Sequence, residues 1–252
     1  MQQRSIVTKI ADLMAVANDC FLMAVPFEPE PLPGQFVMIS FGDGRTDPFL
    51  PRPISIFDWD DGMLTLLIRV VGRGTLLMAR QAVGMPVRVT GPLGNSFPDE
   101  SGSVCFIGGG IGIAPLYYAA KRSTAQDKRF ILGFRSAEQS YLTDDYLKIA
   151  TAHFVSDDGS LGDKLFPHQK LDALAKSGEK PDLVITCGPE KMMAAVHEVA
   201  KKHGIRDHHS LESRMGCGIG ACLGCRVQMP GASVLVCKEG PIFDGSIFEE
   251  KK

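Results

Sequence analysis

Up to about residue 98 the apolar positions come in short runs that alternate with polar ones, over residues 5–10, 20–25, 35–41, 53–57, 63–71 and 87–90. Alternation with a period of two is the signature of a half-buried strand. Turn chemistry separates the runs: Pro29, Pro31, Pro33 and Gly34, then Gly42 and Gly44, Asp61 and Gly62, and Gly84 with Pro86. One short helical run, 76–81, interrupts them. Many strands at short spacing with a single helix predict a small antiparallel β-barrel.

From residue 103 the pattern changes. Continuous apolar runs at 103–107, 129–134, 152–155 and 182–187 read as buried strands, and helical stretches lie between them. The clearest helix, 190–203, has Pro189 at its start, apolar Met192, Met193, Val196 and Val199 on one face, and Lys201, Lys202 and Gly204 at its end. Strands alternating with helices predict a parallel α/β domain. The expected fold class is therefore multi-domain β plus α/β: a barrel over 1–98, an α/β domain over 99–205 and a small module over 206–252.

Charge and composition narrow the partners. The formal net charge is -2 with charges of both signs interspersed, so no basic stripe for nucleic acid is expected. The opening residues Met1 to Ser5 lead into Ile6-Val7-Thr8-Lys9-Ile10 without the long apolar core of a signal peptide. No run approaches the length of a membrane span. Seven cysteines, four of them clustered, suit a reducing cytoplasm.

That cluster carries the strongest chemical signal. Cys217, Cys222, Cys225 and Cys237 follow the spacing C-x4-C-x2-C-x11-C, and the first three match the plant-type [2Fe–2S] pattern. Gly216, Gly218, Gly220 and Gly224 let the backbone wrap closely and aim N–H groups at the sulfurs. Zinc and inert buried cysteine are the alternatives; structural zinc usually takes two close cysteine pairs, and this spacing supplies one.

Weaker signals lie upstream. Arg52-Pro53-Ile54-Ser55 places a cation, a rigid turn and a hydroxyl in succession, and Gly74-Thr75 opens the short helix; each fits phosphate, and each also fits an ordinary surface turn. Gly108 to Pro115 forms a glycine-rich strand-to-helix turn that departs from G-x-G-x-x-G and matches G-x-G-x-x-P from Gly110. Cys187-Gly188-Pro189 makes a second such turn. Asp157 and Asp158 follow the third strand, where carboxylates accept from ribose hydroxyls and repel a 2′-phosphate, or simply make a solvated turn. His197 and His203 are expected at the surface or half-buried, and His208 and His209 have no carboxylate arrangement that makes a metal site.

The combination resembles the ferredoxin-reductase flavoprotein superfamily over residues 1 to about 205. Over nearly the whole chain it resembles the electron-transfer subunits of class 1B dihydroorotate dehydrogenase. The resemblance rests on the motifs above together with Gly91-Pro92-Leu93-Gly94-Asn95, Leu211-Glu212-Ser213-Arg214-Met215 and Cys237-Lys238-Glu239-Gly240-Pro241. It implies FAD held by Arg52, Pro53, Ile54, Ser55, Leu67, Ile68, Arg69, Gly74 and Thr75. It implies NAD at Gly110, Gly112 and Pro115, with Cys187 and Gly188 near the nicotinamide. The four cysteines would ligate the [2Fe–2S] cluster.

By the same resemblance a partner dihydroorotate dehydrogenase subunit oxidises its substrate at FMN, and electrons pass through the cluster and FAD to NAD⁺. A heterotetramer, two subunits of each kind, is the implied assembly, and pyrimidine (UMP) biosynthesis the implied setting. No base for deprotonating dihydroorotate is evident in this chain. Reductase subunits of ferredoxin:NADP⁺ oxidoreductases, sulfide dehydrogenases or hydrogenases share the motifs. A non-catalytic interaction module stapled by zinc is the alternative of another class.

Overall fold

The computed structural model describes residues 4–229 and 231–249, so Met1 to Gln3 of the leader reading lie outside the described residues. The N-terminal alternation folds into β1 (Arg4–Lys9), β2 (Asp12–Ala17), β3 (Cys20–Pro26), β4 (Phe36–Phe41), β5 (Arg52–Asp60), β6 (Met63–Arg69) and β7 (Pro86–Leu93). They pair in the order β1-β7-β4-β5-β6-β3-β2. The two edge strands are consecutive in the chain and joined only through Ile10 and Ala11, so the antiparallel sheet curls into a half-barrel. Its filling is Met23, Val25, Val37, Ile39, Ile56, Leu64, Leu66, Val87 and Val89. Each such side chain contributes about 1.5–3 kcal/mol by leaving water.

Strand β2 has no counterpart in the sequence reading. It is an edge strand with every residue exposed or half-buried, so it carries no apolar alternation to detect. The helix α1 (Arg73–Ala79) starts earlier than expected because Thr75 closes its first turn. The Thr75 hydroxyl accepts from the N–H groups of Val71 and Gly72, at 3.0 and 3.3 Å, and donates to the Gly72 carbonyl. That hydroxyl, read as a free phosphate donor, is committed to the cap.

The second half comprises β8 (Ser103–Gly109), α2 (Ala114–Arg122), β9 (Asp127–Phe134), α3 (Thr143–Ile149), β10 (Thr151–Ser156), α4 (Pro167–Lys176), β11 (Leu183–Cys187), α5 (Glu190–His203) and β12 (Arg206–Ser210). The sheet order is β10-β9-β8-β11-β12, all parallel, with β15 (Ile242–Asp244) added antiparallel at the edge. The winding reverses between β8 and β11. Their carboxyl ends therefore frame a topological switch point, the place where open α/β sheets take ligands.

The short helix α3 buries only Tyr146, and α4 buries Pro167, Leu171 and Leu174, too few to announce themselves as stripes. Strand β12 escaped notice because Arg206-Asp207-His208-His209-Ser210 is polar throughout.

Helix α2 fastens the two sheets together. The Tyr117 ring stacks on Phe57 at 4.5 Å, and the Tyr118 hydroxyl donates to the Pro31 carbonyl at 2.9 Å. Lys121 pairs with Asp58 and Arg122 with Glu30.

The C-terminal module holds a hairpin, β13 (Arg226–Met229) and β14 (Ala232–Leu235), and packs on the half-barrel. Cys225, Val236 and Cys237 bury against Phe36, Met38 and Leu93. Asn95 bolts the return segment down: its amide donates to the carbonyls of Glu239 and Ile242, and its carbonyl accepts the Ile242 N–H at 2.9 Å. Among the described residues no helix is long and apolar enough to cross a membrane.

Candidate functional site

Glycine geometry shapes the cysteine loop. Gly218 has φ +73°, open to glycine at little cost, and an added Cβ would come within 2.5 Å of Met38 on β4. The loop thus lies flat on the barrel. Its N–H groups turn inward: Ile219 and Cys222 donate to Cys217 Sγ at 3.5 and 3.4 Å, Gly220 to Cys237 Sγ at 3.1 Å, and Gly224 to Cys222 Sγ at 3.5 Å.

Burial would push the Cys217 thiol up, but the N–H groups of Cys222 and Ile219 outweigh it and bring it down to about 7. Burial, reinforced by neighbouring Cys225, pushes Cys237 up to about 12. A thiol held as high as Cys237 becomes a thiolate ligand beside a compensating positive charge, which a pair of irons supplies. Cysteine sulfurs backed by amide donors fit such a cluster.

A cavity of about 480 Å³ opens between the half-barrel, the switch point and the segment entering the cysteine loop. Arg52, Pro53, Ile54, Ser55, Leu67, Ile68, Arg69 and Thr75 all line it. Gly74 lies directly beneath Arg52, where an added Cβ would stand 2.1 Å from Nε. Arg52 also donates to the Leu50 carbonyl. This barrel-side cavity has the apolar walls and few cations that a flavin with its diphosphate requires.

The same cavity takes in Gly112, Pro115 and Cys187, which the sequence reading assigned to the dinucleotide turn. Gly112 approaches so closely that an added Cβ would lie 2.4 Å from the Cys187 carbonyl oxygen. Gly110, at φ +56°, instead lines a separate cavity of about 670 Å³ at the sheet edge. Gly188 packs on Gly109 and Met192. Asp157 lines the sheet-edge cavity; Asp158 turns away and accepts from Ser160.

Several residues of these walls went unassigned in the sequence. Glu212 to Met215 close the barrel-side cavity opposite the strands. Glu212 lines the cavity, and the loss of water there pushes its carboxyl up. Burial likewise pushes the Cys187 thiol up, with the Glu212 charge adding to it. Asp19, Arg135, Tyr141, His168 and Lys191 line the sheet-edge cavity. Only the resemblance, through Glu212-Ser213-Arg214-Met215, singled out any of these.

One polar group corrects the sequence reading. His197 is 5% exposed, buried rather than at the surface or half-buried as expected, and with His209 it encloses Asp207. Asp207 Oδ2 accepts from His197 Nδ1 at 2.8 Å and His209 Nε2 at 2.6 Å. The three ligand atoms converge, yet His197 Nε2 and His209 Nδ1 are buried with no partner among the described residues. A metal would turn both into N–H donors without acceptors, so the group reads as a hydrogen-bonded clamp.

Known proteins carry the same design. The iron-sulfur cluster binding domain of dihydroorotate dehydrogenase B matches residues 212–248, which span all four cysteines. The "dihydroorotate dehydrogenase B (NAD(+)), electron transfer subunit" of Clostridium acetobutylicum is 35% identical over 249 residues, covering 98% of both chains. The protein so named in Enterococcus faecalis is 39% identical over 227 residues, covering 85% of each. A solved NADH-dependent reduced ferredoxin-NADP oxidoreductase superposes with a TM-score of 0.86 at 28% identity, over 96% of this chain and 89% of that one. A ferredoxin reductase of carbazole 1,9a-dioxygenase, 21% identical with a TM-score of 0.68, shares the fold over 81% of this chain and 67% of its own. The chain belongs to the family of electron transfer subunits of dihydroorotate dehydrogenase B.

Proposed function

We propose that the chain carries electrons from a partner dihydroorotate dehydrogenase subunit, which holds FMN, to NAD⁺ in pyrimidine (UMP) biosynthesis. Its full cofactor set is one [2Fe–2S] cluster and one FAD. When bound, the cluster supplies one-electron transfer, FAD joins one-electron to two-electron chemistry, and NAD⁺ accepts the hydride.

The observation that carries this reading is a shared wall. Phe36 and Met215 belong to the same apolar cluster as Cys225 and Cys237, and both line the barrel-side cavity. One apolar cluster thus joins Cys225 and Cys237 to the wall of the flavin cavity. Cys217, Cys222, Cys225 and Cys237 hold the cluster, and the amide donors around them tune it. Arg52, lying over Gly74, meets the FAD diphosphate; Pro53, Ile54, Ser55, Leu67, Ile68, Arg69 and Thr75 form the rest of its seat. Gly112, Pro115, Cys187 and Gly188 leave room for the nicotinamide against the flavin, and Gly110 shapes the passage to the rest of the dinucleotide.

The working boundaries are 1–98 for the flavin domain, 99–205 for the nucleotide domain and 206–252 for the cluster module. The exposed cysteine-loop residues Ile219 and Leu223, with Leu50 close to Gly216 and Phe49 beside it, form the docking lip for the catalytic subunit. Two copies of each subunit make the assembly. Seven cysteines, none of them in a disulfide among the described residues, suit a reducing cytoplasm.

The test is co-purification with the catalytic subunit, an absorbance spectrum, and NAD⁺ reduction driven by dihydroorotate. Flavin and iron–sulfur bands are expected, with coupled turnover requiring both subunits. Cys217→Ser should remove the cluster band and drop coupled turnover at least a hundredfold while flavin stays bound. Undiminished coupling in that variant would refute the route through the cluster. A colourless protein would return the module to zinc.

The TM-score of 0.86 to an NADH-dependent reduced ferredoxin-NADP oxidoreductase favours one second reading, the same cofactors serving a different electron partner. The same two bands without orotate formation would select it.

A further inference from the structure

Arg69 is the only residue that lines both cavities among the described residues. It ends β6, where it pairs in register with Cys20, and the next N–H, of Val70, donates to the Asp19 carbonyl at 2.7 Å. Arg69 Nε donates to Asp19 Oδ2 at 2.7 Å, and the second carboxylate oxygen takes a 3.5 Å contact from Cys20 Sγ. Both oxygens of Asp19 are therefore used for holding. The two terminal Nη groups of Arg69 make no hydrogen bond among the described residues, and they are the part of the guanidinium free to meet a ligand.

The pair does not exist for stability. Its side chains are 41% and 44% exposed, and an exposed ion pair contributes only about 0–1 kcal/mol. Its value is orientation. Arginine grips an anion through a planar fork, and fixing Nε fixes the direction of the fork.

On the reading above, NAD⁺ lies with its nicotinamide in the barrel-side cavity and the remainder in the sheet-edge cavity. It must pass Arg69. We propose that Asp19 is a positioning residue, which turns the Arg69 fork toward the diphosphate of the dinucleotide where it crosses between the two cavities. This deepens the proposed function and rests on it.

Simple electrostatics predicts the opposite sign. Asp19 cancels the charge of Arg69, so removing it should strengthen attraction for a diphosphate. Orientation predicts weaker binding in spite of the extra net positive charge. The experiment is NADH-driven reduction of bound flavin, followed in the full chain with its cofactors in place. Asp19→Ala is expected to raise the NADH concentration giving half-maximal rate about tenfold, with the limiting rate changed less than threefold. Asp19→Asn, whose amide oxygen still accepts from Nε, should recover most of that loss.

A purely structural role would instead lower the limiting rate, flavin content and melting temperature together. Arg69→Ala should weaken NADH at least as much, and adding Asp19→Ala to it should do nothing more. Unchanged or tighter NADH binding in Asp19→Ala, or full additivity in the double variant, overturns the proposal. Should Asp19→Ala lose its flavin, Arg69→Lys reads the same relation. Its single ammonium cannot hold the carboxylate and grip a diphosphate as a fork, so wild-type affinity there also overturns it. A wild-type chain that retains no flavin or leaves NADH unoxidised refutes the functional reading and this proposal with it. An active wild type with unaltered variants refutes the proposal alone.

Discussion

Gly74 shows how one missing side chain sets a binding site. Its φ is unremarkable for any residue, and its constraint is space: Arg52 lies where a Cβ would go. The obstructing atoms belong to the flexible end of a long side chain, so Gly74→Ala should fold with a melting temperature within a few degrees of the parent. On the proposed reading, the displaced guanidinium would leave the FAD diphosphate, a charge-assisted contact of about 1.5–3 kcal/mol. Flavin affinity should fall roughly ten- to a hundredfold, measured by titrating the apoprotein; unchanged affinity would remove Arg52 from the diphosphate. The sequence already displayed Arg52 and Gly74 as separate motifs. That one needs the other to be glycine appears only when β5 and α1 are brought together.

At the scale of elements, the polar strand β12 is held by its own acid–base group. Burial would raise the Asp207 carboxyl, but hydrogen bonds from His209 and His197 outweigh it and hold the carboxyl below its ordinary range. A depressed folded pKa means that the folded state binds fewer protons than the unfolded one as pH falls through the ordinary carboxylate range, near 3.9. The stabilisation is fully present above that range and is lost as pH falls toward the folded pKa. Asp207→Asn should cost roughly 3 kcal/mol at neutral pH, since a buried charged acceptor of two hydrogen bonds is removed. The gap to wild type should narrow below pH 4, measured by denaturant unfolding at a series of pH values; a pH-independent gap would contradict the assignment. Phe248, edge-on to His209 at 4.8 Å, ties the C-terminal turn to the same clamp.

At the scale of the molecule, the cysteine loop carries exposed apolar side chains next to the segment, Glu212 to Met215, that lines the barrel-side cavity. Ile219 and Leu223 are each 50% exposed on the cysteine loop, and Phe49 is 80% exposed near its base. Exposed apolar groups beside a redox centre suit a partner that covers them. Ile219→Asp should weaken assembly with the catalytic subunit by about 2 kcal/mol or more, the range of an interface hot spot. Both visible bands and NADH-driven flavin reduction by the isolated chain should survive. Analytical ultracentrifugation of the mixed subunits checks this, and an intact complex at wild-type affinity would move the docking face elsewhere.

The sequence by itself determined what is local. Alternation marked six of the seven half-barrel strands, buried apolar runs marked four of the five parallel strands, and the cysteine spacing marked the cluster loop, because period, turn chemistry and ligand spacing all act over a few residues. Tertiary structure decided what depends on distant partners. It joined Asp19 to Arg69 across 50 positions, set Glu212 to Met215 against the barrel-side cavity, divided the Gly110 to Pro115 turn between two cavities, and closed His197 and His209 on Asp207. Each of these residues is ordinary in its own stretch. Its role comes from the neighbour that folding supplies, and the energy of a hydrogen bond or an ion pair depends on that neighbour and on the water it excludes.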